Sequence, residues 1–224
     1  MNCGGCCTSK TDSFFATRMA RRDARRYQRK GPTGTTRTLL EGLSQIDARG
    51  ATMLDIGGGV GALHHELLDS RFDRAIQVDA ANAYLEVARS VAVTRGHADR
   101  VEFRFGDAVE LAEEISVSDL VTLDRVVCCY PDEVSLLSMA SSRARRWLAL
   151  SYPRNRLPMR AGMAAVNLFE RVFGDGFRVF VRPEEHIKAE VMRHGFESRF
   201  EQQTVFWQVN VFERTRQHPR DVAN

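Results

Sequence analysis

The sequence has no hydrophobic run long enough to cross a membrane, since a spanning helix needs roughly 18 or more apolar residues in succession. Its first ten residues contain no apolar segment of the kind found in secretory signals. Internal repeats and low-complexity blocks are also missing. We therefore expect a globular protein of the cytoplasm.

Net charge is small and cysteine is scarce. A formal charge of +3 does not by itself indicate an acidic partner such as nucleic acid. Adjacent cysteines rarely form a disulfide without strain, so we expect reduced thiols. The C-x-x-C motif near the N-terminus would supply half of a tetrahedral zinc site, but no second motif completes it, and no metal is predicted. The five cysteines are Cys3, Cys6, Cys7, Cys128 and Cys129.

Alternating strands and helices indicate the fold class. Short apolar strands followed by helical segments are typical of βαβ units around a parallel sheet with helices on both faces. The predicted strands are 52–56, 75–78, 101–105, 120–123 and 147–152, and the predicted helices are 60–70, 83–94, 109–115 and 132–143. The sequence therefore predicts a doubly wound α/β fold.

The flanking segments predict further helices and an antiparallel end. Helices are expected over 11–30, after an N-cap at Thr35 or Thr36, near 160–173 and over 183–194. Strands are expected at 196–200 and 205–214, joined by a polar turn. The predicted organisation is a tail at 1–11, an N-terminal helical lid at 12–47, a Rossmann-like domain at 48–214 with a cap insertion at 154–182, and a tail at 215–224.

A glycine-rich turn between the first strand and the next helix is the most informative segment. Glycine lets the backbone turn tightly and approach a ligand closely. Gly57, Gly59 and Ala62 satisfy the dinucleotide pattern, so NAD or FAD stays an alternative. Asp55, two residues before the first glycine, would repel a pyrophosphate but suits the ammonium of a methionine moiety. Asp55 and the spacing Gly57-x-Gly59-x-Gly61 favour S-adenosylmethionine (SAM).

Acidic residues also stand at the ends of the next three strands. Asp79, followed by Ala80, lies about 20 residues after the first glycine, where a ribose-binding acid is expected. Asp107, followed by Ala108, comes after strand three and can accept the adenine amino proton, and Asp124 ends strand four. Because the carboxyl ends of parallel strands meet at one edge of the sheet, we predict that these three acids and Asp55 surround one SAM molecule.

With these residues in place, the sequence resembles the class I SAM-dependent methyltransferases over about residues 36–214. The matching segments are 54–61, 78–79, 106–108 and 119–121. The resemblance implies a seven-stranded sheet whose last strand is antiparallel and a glycine loop beside the methionine part of SAM. It also implies that Asp79 binds ribose and that Asp107 binds adenine.

A narrower resemblance is to the magnesium-protoporphyrin O-methyltransferases. It rests on Phe14 and Phe15, on the segment 125–131, and on the length of the 154–182 insertion. That family has a tyrosine where Phe14 stands and a histidine where Cys129 stands. These two departures concern polar groups of the active site, so a porphyrin carboxylate acceptor is kept as an alternative.

We predict methyl transfer to a small-molecule acceptor, at an oxygen atom, in a pocket roofed by the N-terminal helix and the 154–182 insertion. Tyr27 and Tyr130 are the candidate catalytic residues, and Arg125 and Cys129 are expected to line the pocket. His64 and His65 follow the glycine turn; one of them can approach the site, but exposed positions on the helix are favoured. These histidines are therefore not assigned a role.

Two further alternatives stay open. One is a SAM-binding module that has lost its chemistry. The other is RNA methylation, for which the argument is a run of basic residues. A solvated helix face is the usual meaning of such a run, so no nucleic-acid partner is predicted. The run comprises Arg18, Arg21, Arg22, Arg25, Arg26, Arg29 and Lys30.

Overall fold

A computed structural model describes residues 17–174 and 177–215. The helices are α1 (Thr17–Lys30), α2 (Gly34–Leu43), α3 (Ala62–Ser70), α4 (Asn82–Arg95), α5 (Glu133–Arg143), α6 (Leu157–Phe173) and α7 (Glu184–Arg193). The strands are β1 (Ala51–Ile56), β2 (Phe72–Asp79), β3 (Val101–Phe105), β4 (Ser118–Asp124), β5 (Ala144–Pro153), β6 (Phe196–Gln203) and β7 (Trp207–Arg214). The predictions for the N-terminal tail and the segment 11–16, with Phe14, Phe15 and the first three cysteines, lie outside the described residues, as does the C-terminal tail after residue 215.

The seven strands form one sheet in the order β3-β2-β1-β4-β5-β7-β6. Strands β1 to β5 are parallel to one another, whereas β7 runs antiparallel to both β5 and β6. The prediction of a doubly wound, mostly parallel seven-stranded sheet with an antiparallel last strand is confirmed. Because β1 pairs with β2 on one side and β4 on the other, the strand order reverses at this point, where such sheets bind their ligands.

The central strands are buried on both faces, and successive residues contribute to two different cores. Leu54 and its register partner Val121 pack with α5 and α7. Met53 and its partner Leu120 pack on the other side with α2 and α3. Since side chains alternate across a strand, near-continuous apolar runs are what a sheet covered by helices on both faces requires.

Two helix predictions are wrong, and β2, β5 and β6 each extend three residues beyond a predicted bound. Helix α2 is capped by Thr33 rather than by Thr35 or Thr36, because the Thr33 hydroxyl accepts a hydrogen bond from the backbone N–H of Thr36. The predicted helix 109–115 is only a 3₁₀ turn at Ala112–Glu114. Ile115 is drawn into the core and β4 begins three residues later, which leaves room for a single turn.

Helix α1 is held on the domain by two tyrosine–carboxylate hydrogen bonds. In one of them α1 supplies the tyrosine, and in the other it supplies the carboxylate. The Tyr27 hydroxyl donates to Glu66 of α3 at 2.7 Å, and the hydroxyl of Tyr84 on α4 donates to Asp23 of α1 at 2.6 Å. Ala20 and Tyr27 are buried against these helices. The seven basic side chains are exposed, so the run is the solvated helix face predicted for it.

Helix α6 has the opposite character, because its outward surface is apolar. Leu157, Leu168 and Phe169 are each at least 60% exposed. The helix is anchored through Asn167, whose side chain exchanges two hydrogen bonds with the backbone of Val179. Across residues 17–174 and 177–215, no helix combines the length and apolar character that crossing a bilayer demands.

The docking of α1 is testable by replacing Tyr27 with phenylalanine. Loss of a hydrogen bond to a charged group should lower the free energy of unfolding by about 1.5–3 kcal/mol in urea denaturation. The double variant Tyr27→Phe/Glu66→Ala should lose less than the sum of the two single losses, because each single change removes the same bond. Additive losses would contradict this docking.

Candidate cofactor-binding site

The glycine turn lies directly on the carboxylate of Asp55. Its first residue, Gly57, has φ +62° and donates its N–H to the carbonyl of Val78 at the end of β2. A Cβ placed on Gly58 would lie 2.5 Å from Asp55 Oδ2, well inside van der Waals contact. The turn can therefore follow this path only because these positions carry no side chain.

Asp55 itself is almost completely buried, and each of its carboxylate oxygens has a partner. Oδ1 accepts from the Thr122 hydroxyl at 2.7 Å, and Oδ2 lies 2.9 Å from His64 Nδ1. The carboxylate thus links β1, β4 and α3 beneath the turn. A direct contact between Asp55 and a cofactor ammonium stays a prediction; the observed contacts give Asp55 the task of shaping the turn.

The prediction that His64 and His65 are exposed is wrong, since both are fully buried. Both face inward because His64 reaches Asp55 while His65 Nδ1 lies 3.0 Å from His97 Nδ1, and His97 Nε2 lies 3.0 Å from Asp69. Burial lowers the pKa of His65 to about 2, with the neighbouring imidazoles acting in the same direction. His65 is therefore neutral at physiological pH and contributes no charge to the site.

Asp79 closes the turn from the side of β2. Its Oδ2 accepts the N–H of Gly59 at 3.0 Å, and its Oδ1 accepts the N–H of Ala81 at 2.9 Å. Ala80 lies between these two contacts, at the surface of the same segment.

Asp107 is joined to Tyr130, another predicted site residue. The Tyr130 hydroxyl lies 3.0 Å from both carboxylate oxygens of Asp107, and Oδ1 also accepts the N–H of Val109. The adjacent Ala108 is buried in the core below. The structure therefore brings the predicted adenine-binding residue and one of the predicted catalytic tyrosines together.

Asp124 ends β4 with both oxygens engaged. Oδ2 accepts from Thr36 of α2 at 2.6 Å, and Oδ1 accepts from Ser151 of β5 at 2.5 Å. The next residue, Arg125, has φ +63°, a left-handed conformation that is uncommon for residues with a side chain. The backbone thus turns sharply at the strand end, next to the segment that carries Cys129.

Tyr27 has surroundings that oppose a role as a base. Its hydroxyl is bound to Glu66, and burial followed by this carboxylate contact raises the pKa of Tyr27 well above its ordinary value. We therefore assign Tyr27 to the attachment of α1. Among the residues of 17–174 and 177–215, no three His, Cys, Asp or Glu side chains are placed to hold a metal ion.

Three polar residues of this site carried no signal in the sequence: His64, Thr122 and Ser151. Thr122 lies inside the buried strand β4, and Ser151 lies near the end of the buried strand β5. Each is surrounded in the sequence by apolar residues, so neither stands out as a site residue. The nine-residue separation of Asp55 and His64 does not by itself indicate their contact, because the burial of the histidine cannot be read from the sequence.

A separate cleft of about 740 Å³ lies at the opposite edge of the sheet. It is formed where β5 begins and β7 ends, and basic side chains dominate it. Arg145 in its wall is already paired with Asp119. Ligands of doubly wound sheets bind at the carboxyl ends of the strands, so we do not assign the cofactor to this cleft. Its basic residues are Arg145, Arg146, Arg193, His194 and Arg214.

Comparison with known proteins agrees with this fold. Residues 54–146 match the family model described as a methyltransferase domain, a stretch that runs from β1 into β5 and includes the turn and all four acids. The chain is also 35% identical over 100 residues to a 3-amino-4-hydroxybenzoate 4-O-methyltransferase of Streptomyces cremeus. That alignment covers 44% of this chain and 27% of the relative, so the chain matches little more than a quarter of the relative's length.

Solved structures share the fold over most of the chain. The magnesium protoporphyrin IX methyltransferase of Synechocystis, solved with bound S-adenosylhomocysteine, superimposes with a TM-score of 0.68 at 18% identity, covering 91% of this chain and 98% of that one. An O-methyltransferase family protein of Burkholderia thailandensis gives a TM-score of 0.68 at 16% identity, covering 89% and 60%. The chain therefore has the class I methyltransferase fold.

The tight contact between the turn and Asp55 predicts that Gly58→Ala is damaging. The added methyl group would meet the Asp55 carboxylate, so we expect a loss of about 1–3 kcal/mol in stability, measured by urea unfolding. Gly162→Ala is the matched control, because nothing lies within 4 Å of a Cβ at that position of α6. Equal stabilities of the two variants would show that the turn does not rest on Asp55.

Proposed function

We propose that this protein binds SAM at the carboxyl ends of β1 to β4 and transfers its methyl group to an oxygen of a small-molecule acceptor. The observation that carries the proposal is the bridge that Asp79 forms between the N–H groups of Gly59 and Ala81. This bridge fixes a carboxylate beside the glycine turn at the strand-order reversal, where a nucleoside ribose would lie.

The acids at the strand ends suit a nucleoside. Ribose presents two neighbouring hydroxyl groups, and a carboxylate can accept a hydrogen bond from each of them. Asp107 follows the end of β3, where an adenine amino group would donate to its carboxylate, and the Tyr130 hydroxyl contacts the same carboxylate. Ala80 and Ala108, with Gly57, Gly59 and Gly61, supply close backbone approach for the same ligand.

The sign of the charge favours SAM over NAD. Asp55, Asp79, Asp107 and Asp124 place four carboxylates around one crevice, with Arg125 as the cation that follows directly. A dinucleotide carries a doubly charged pyrophosphate, which these carboxylates would repel. SAM instead carries a sulfonium and an ammonium group. Electrostatics therefore supports a cationic cofactor end in this position.

SAM supplies an already activated methyl group, so the protein's tasks are to align the acceptor and to exclude water. A carboxylate acceptor needs no base, whereas a phenol does. Tyr130 is our candidate to orient the acceptor, since its hydroxyl stands at the edge of the crevice on Asp107. The Streptomyces relative is named for methylation of a hydroxyl group on a small aromatic acid, which supports an oxygen acceptor.

We further propose that the segments 12–47 and 154–182 roof the acceptor pocket as lid and cap on the 48–214 domain. The apolar outward surface of α6 supports a hydrophobic acceptor. A porphyrin carboxylate is the second candidate on this ground. The free thiols of Cys128 and Cys129 fit a reducing compartment, and we propose the cytoplasm.

Cofactor binding is tested by calorimetry on Asp79→Asn. Loss of a charge-assisted hydrogen bond, worth about 1.5–3 kcal/mol, should weaken SAM binding roughly ten-fold or more. Asp73→Asn is the matched control, because Asp73 is an exposed acid at the other end of the same strand. Unchanged SAM affinity in Asp79→Asn, or tighter binding of NAD than of SAM by the unaltered protein, would remove this site from the proposal.

Catalysis is tested separately, by incubating the protein with methyl-labelled SAM and a metabolite extract from which nucleic acid has been removed. We expect label in a small organic product, and that label should become volatile methanol on alkaline hydrolysis if the acceptor is a carboxylate. SAM binding without any labelled product would identify a binding module. Label that appears only when RNA is added would identify an RNA methyltransferase.

A further inference from the structure

We propose that Cys128 and Cys129 form a dithiol site that chelates a trivalent arsenical. The two Sγ atoms lie 3.6 Å apart, directly after β4 and beside the crevice described above. Cys129 is expected to line the acceptor pocket, but neither cysteine is assigned a chemical step in the proposed methyl transfer. The inference concerns binding by the two sulfurs alone and does not rest on the proposed function.

The backbone holds the two thiols on the same side. Cys128 and Cys129 lie in a 3₁₀ turn, and both thiols are directed at the carbonyl oxygen of Arg125, with sulfur–oxygen distances of 3.4 and 3.7 Å. The turn is fixed by two further bonds, from Cys129 N–H to Val126 and from Phe180 N–H to the Cys128 carbonyl. The two sulfurs are thus already positioned for one common partner.

The sulfur–sulfur distance determines which coordination geometry the bound atom can have. Two sulfurs 3.6 Å apart, each about 2.3 Å from a central atom as in thiolate sites, subtend an angle of about 100° there. A linear two-coordinate cation would need them on opposite sides of the metal. Zinc would need two more ligands, and within 17–174 and 177–215 no group of three potential ligands exists. A pyramidal centre with two sulfur ligands fits the site.

The charges around the pair favour reaction at Cys129. The hydrogen bond from Cys128 lowers the pKa of Cys129, and the Arg125 guanidinium acts in the same direction. The same hydrogen bond, together with burial, raises the pKa of Cys128. Because the thiolate is the nucleophile, Cys129, which is also the more exposed of the two, attacks first and Cys128 closes the chelate.

The chemistry balances without any oxidant. With phenylarsine oxide as the probe, two arsenic–sulfur bonds form and the arsenic–oxygen bonds break. The oxygen leaves as water with the two thiol protons, and arsenic stays trivalent. The product is a cyclic dithioarsenite joined to adjacent residues, which a competing small dithiol can reverse by the same exchange.

The experiment uses the full chain in the background Cys3→Ser/Cys6→Ser/Cys7→Ser, because those three cysteines would also bind the probe. Intact mass spectrometry under native conditions should show one phenylarsenic group per chain at equimolar probe, removed by excess 2,3-dimercaptopropanol. Cys129→Ser in the same background should lose at least nine-tenths of the adduct that resists a monothiol wash. No adduct in the background protein, or an equal adduct in Cys129→Ser, would overturn the proposal.

Two controls make the result specific. Cys128→Ala keeps a small side chain in the buried position and should abolish the chelate while leaving Cys129 reactive toward iodoacetamide, which shows that one accessible thiol alone does not hold the arsenical. SAM binding by the background protein is measured in parallel. Because the arsenical needs only the two sulfurs, a protein that binds the probe but ignores SAM would overturn the proposed function and leave the dithiol site standing.

Discussion

The hydrogen bonds of the buried Asp55 carboxylate are the constraint on which the rest of the site depends. One oxygen takes the Thr122 hydroxyl and the other contacts His64, so a single side chain joins two central strands to the helix that follows the turn. A buried polar group left without its partner costs about 1–3 kcal/mol, so the three elements are held in one arrangement. The glycine turn then has only the space above this carboxylate in which to run.

The other strand ends are organised around the same turn. Asp79 accepts two backbone N–H groups and so fixes the outer side of the turn, while Asp107 is held by Tyr130 and Asp124 by Thr36 and Ser151. Each acid is thus preorganised by neighbouring residues before any ligand arrives. Preorganised groups lose little freedom on binding, so this arrangement would favour the cofactor binding proposed above.

Much of the fold could be predicted because its strands obey simple rules. The central strands are buried on both faces, so their apolar runs stand out, and a glycine turn after the first of them identifies the edge at which ligands bind. The ends of the helices were harder to predict from the sequence. The cap of α2 depends on which of three threonines adopts the extended conformation, and the segment 109–115 is limited to one turn by the length of chain left before β4.

The contacts that hold the site residues in place could not be predicted, because they join residues of different helices and strands. His64 was expected at the surface because a polar residue on a short helix usually lies there, yet it is buried by a partner nine residues earlier in the chain. Tyr27 was a candidate for catalysis because tyrosine can transfer protons, but its partner Glu66 lies on a different helix. Contacts between elements decide these roles, and a local pattern does not contain them.

The most direct measurement is a crystal structure of the protein with S-adenosylhomocysteine. We expect this structure to show the two ribose hydroxyls bound to the Asp79 carboxylate and the adenine amino group bound to Asp107. The amino-acid end of the ligand should lie over the glycine turn, above Asp55. A ligand bound instead in the basic cleft at the opposite edge of the sheet, or an Asp79 carboxylate turned away from the ribose, would contradict this expectation.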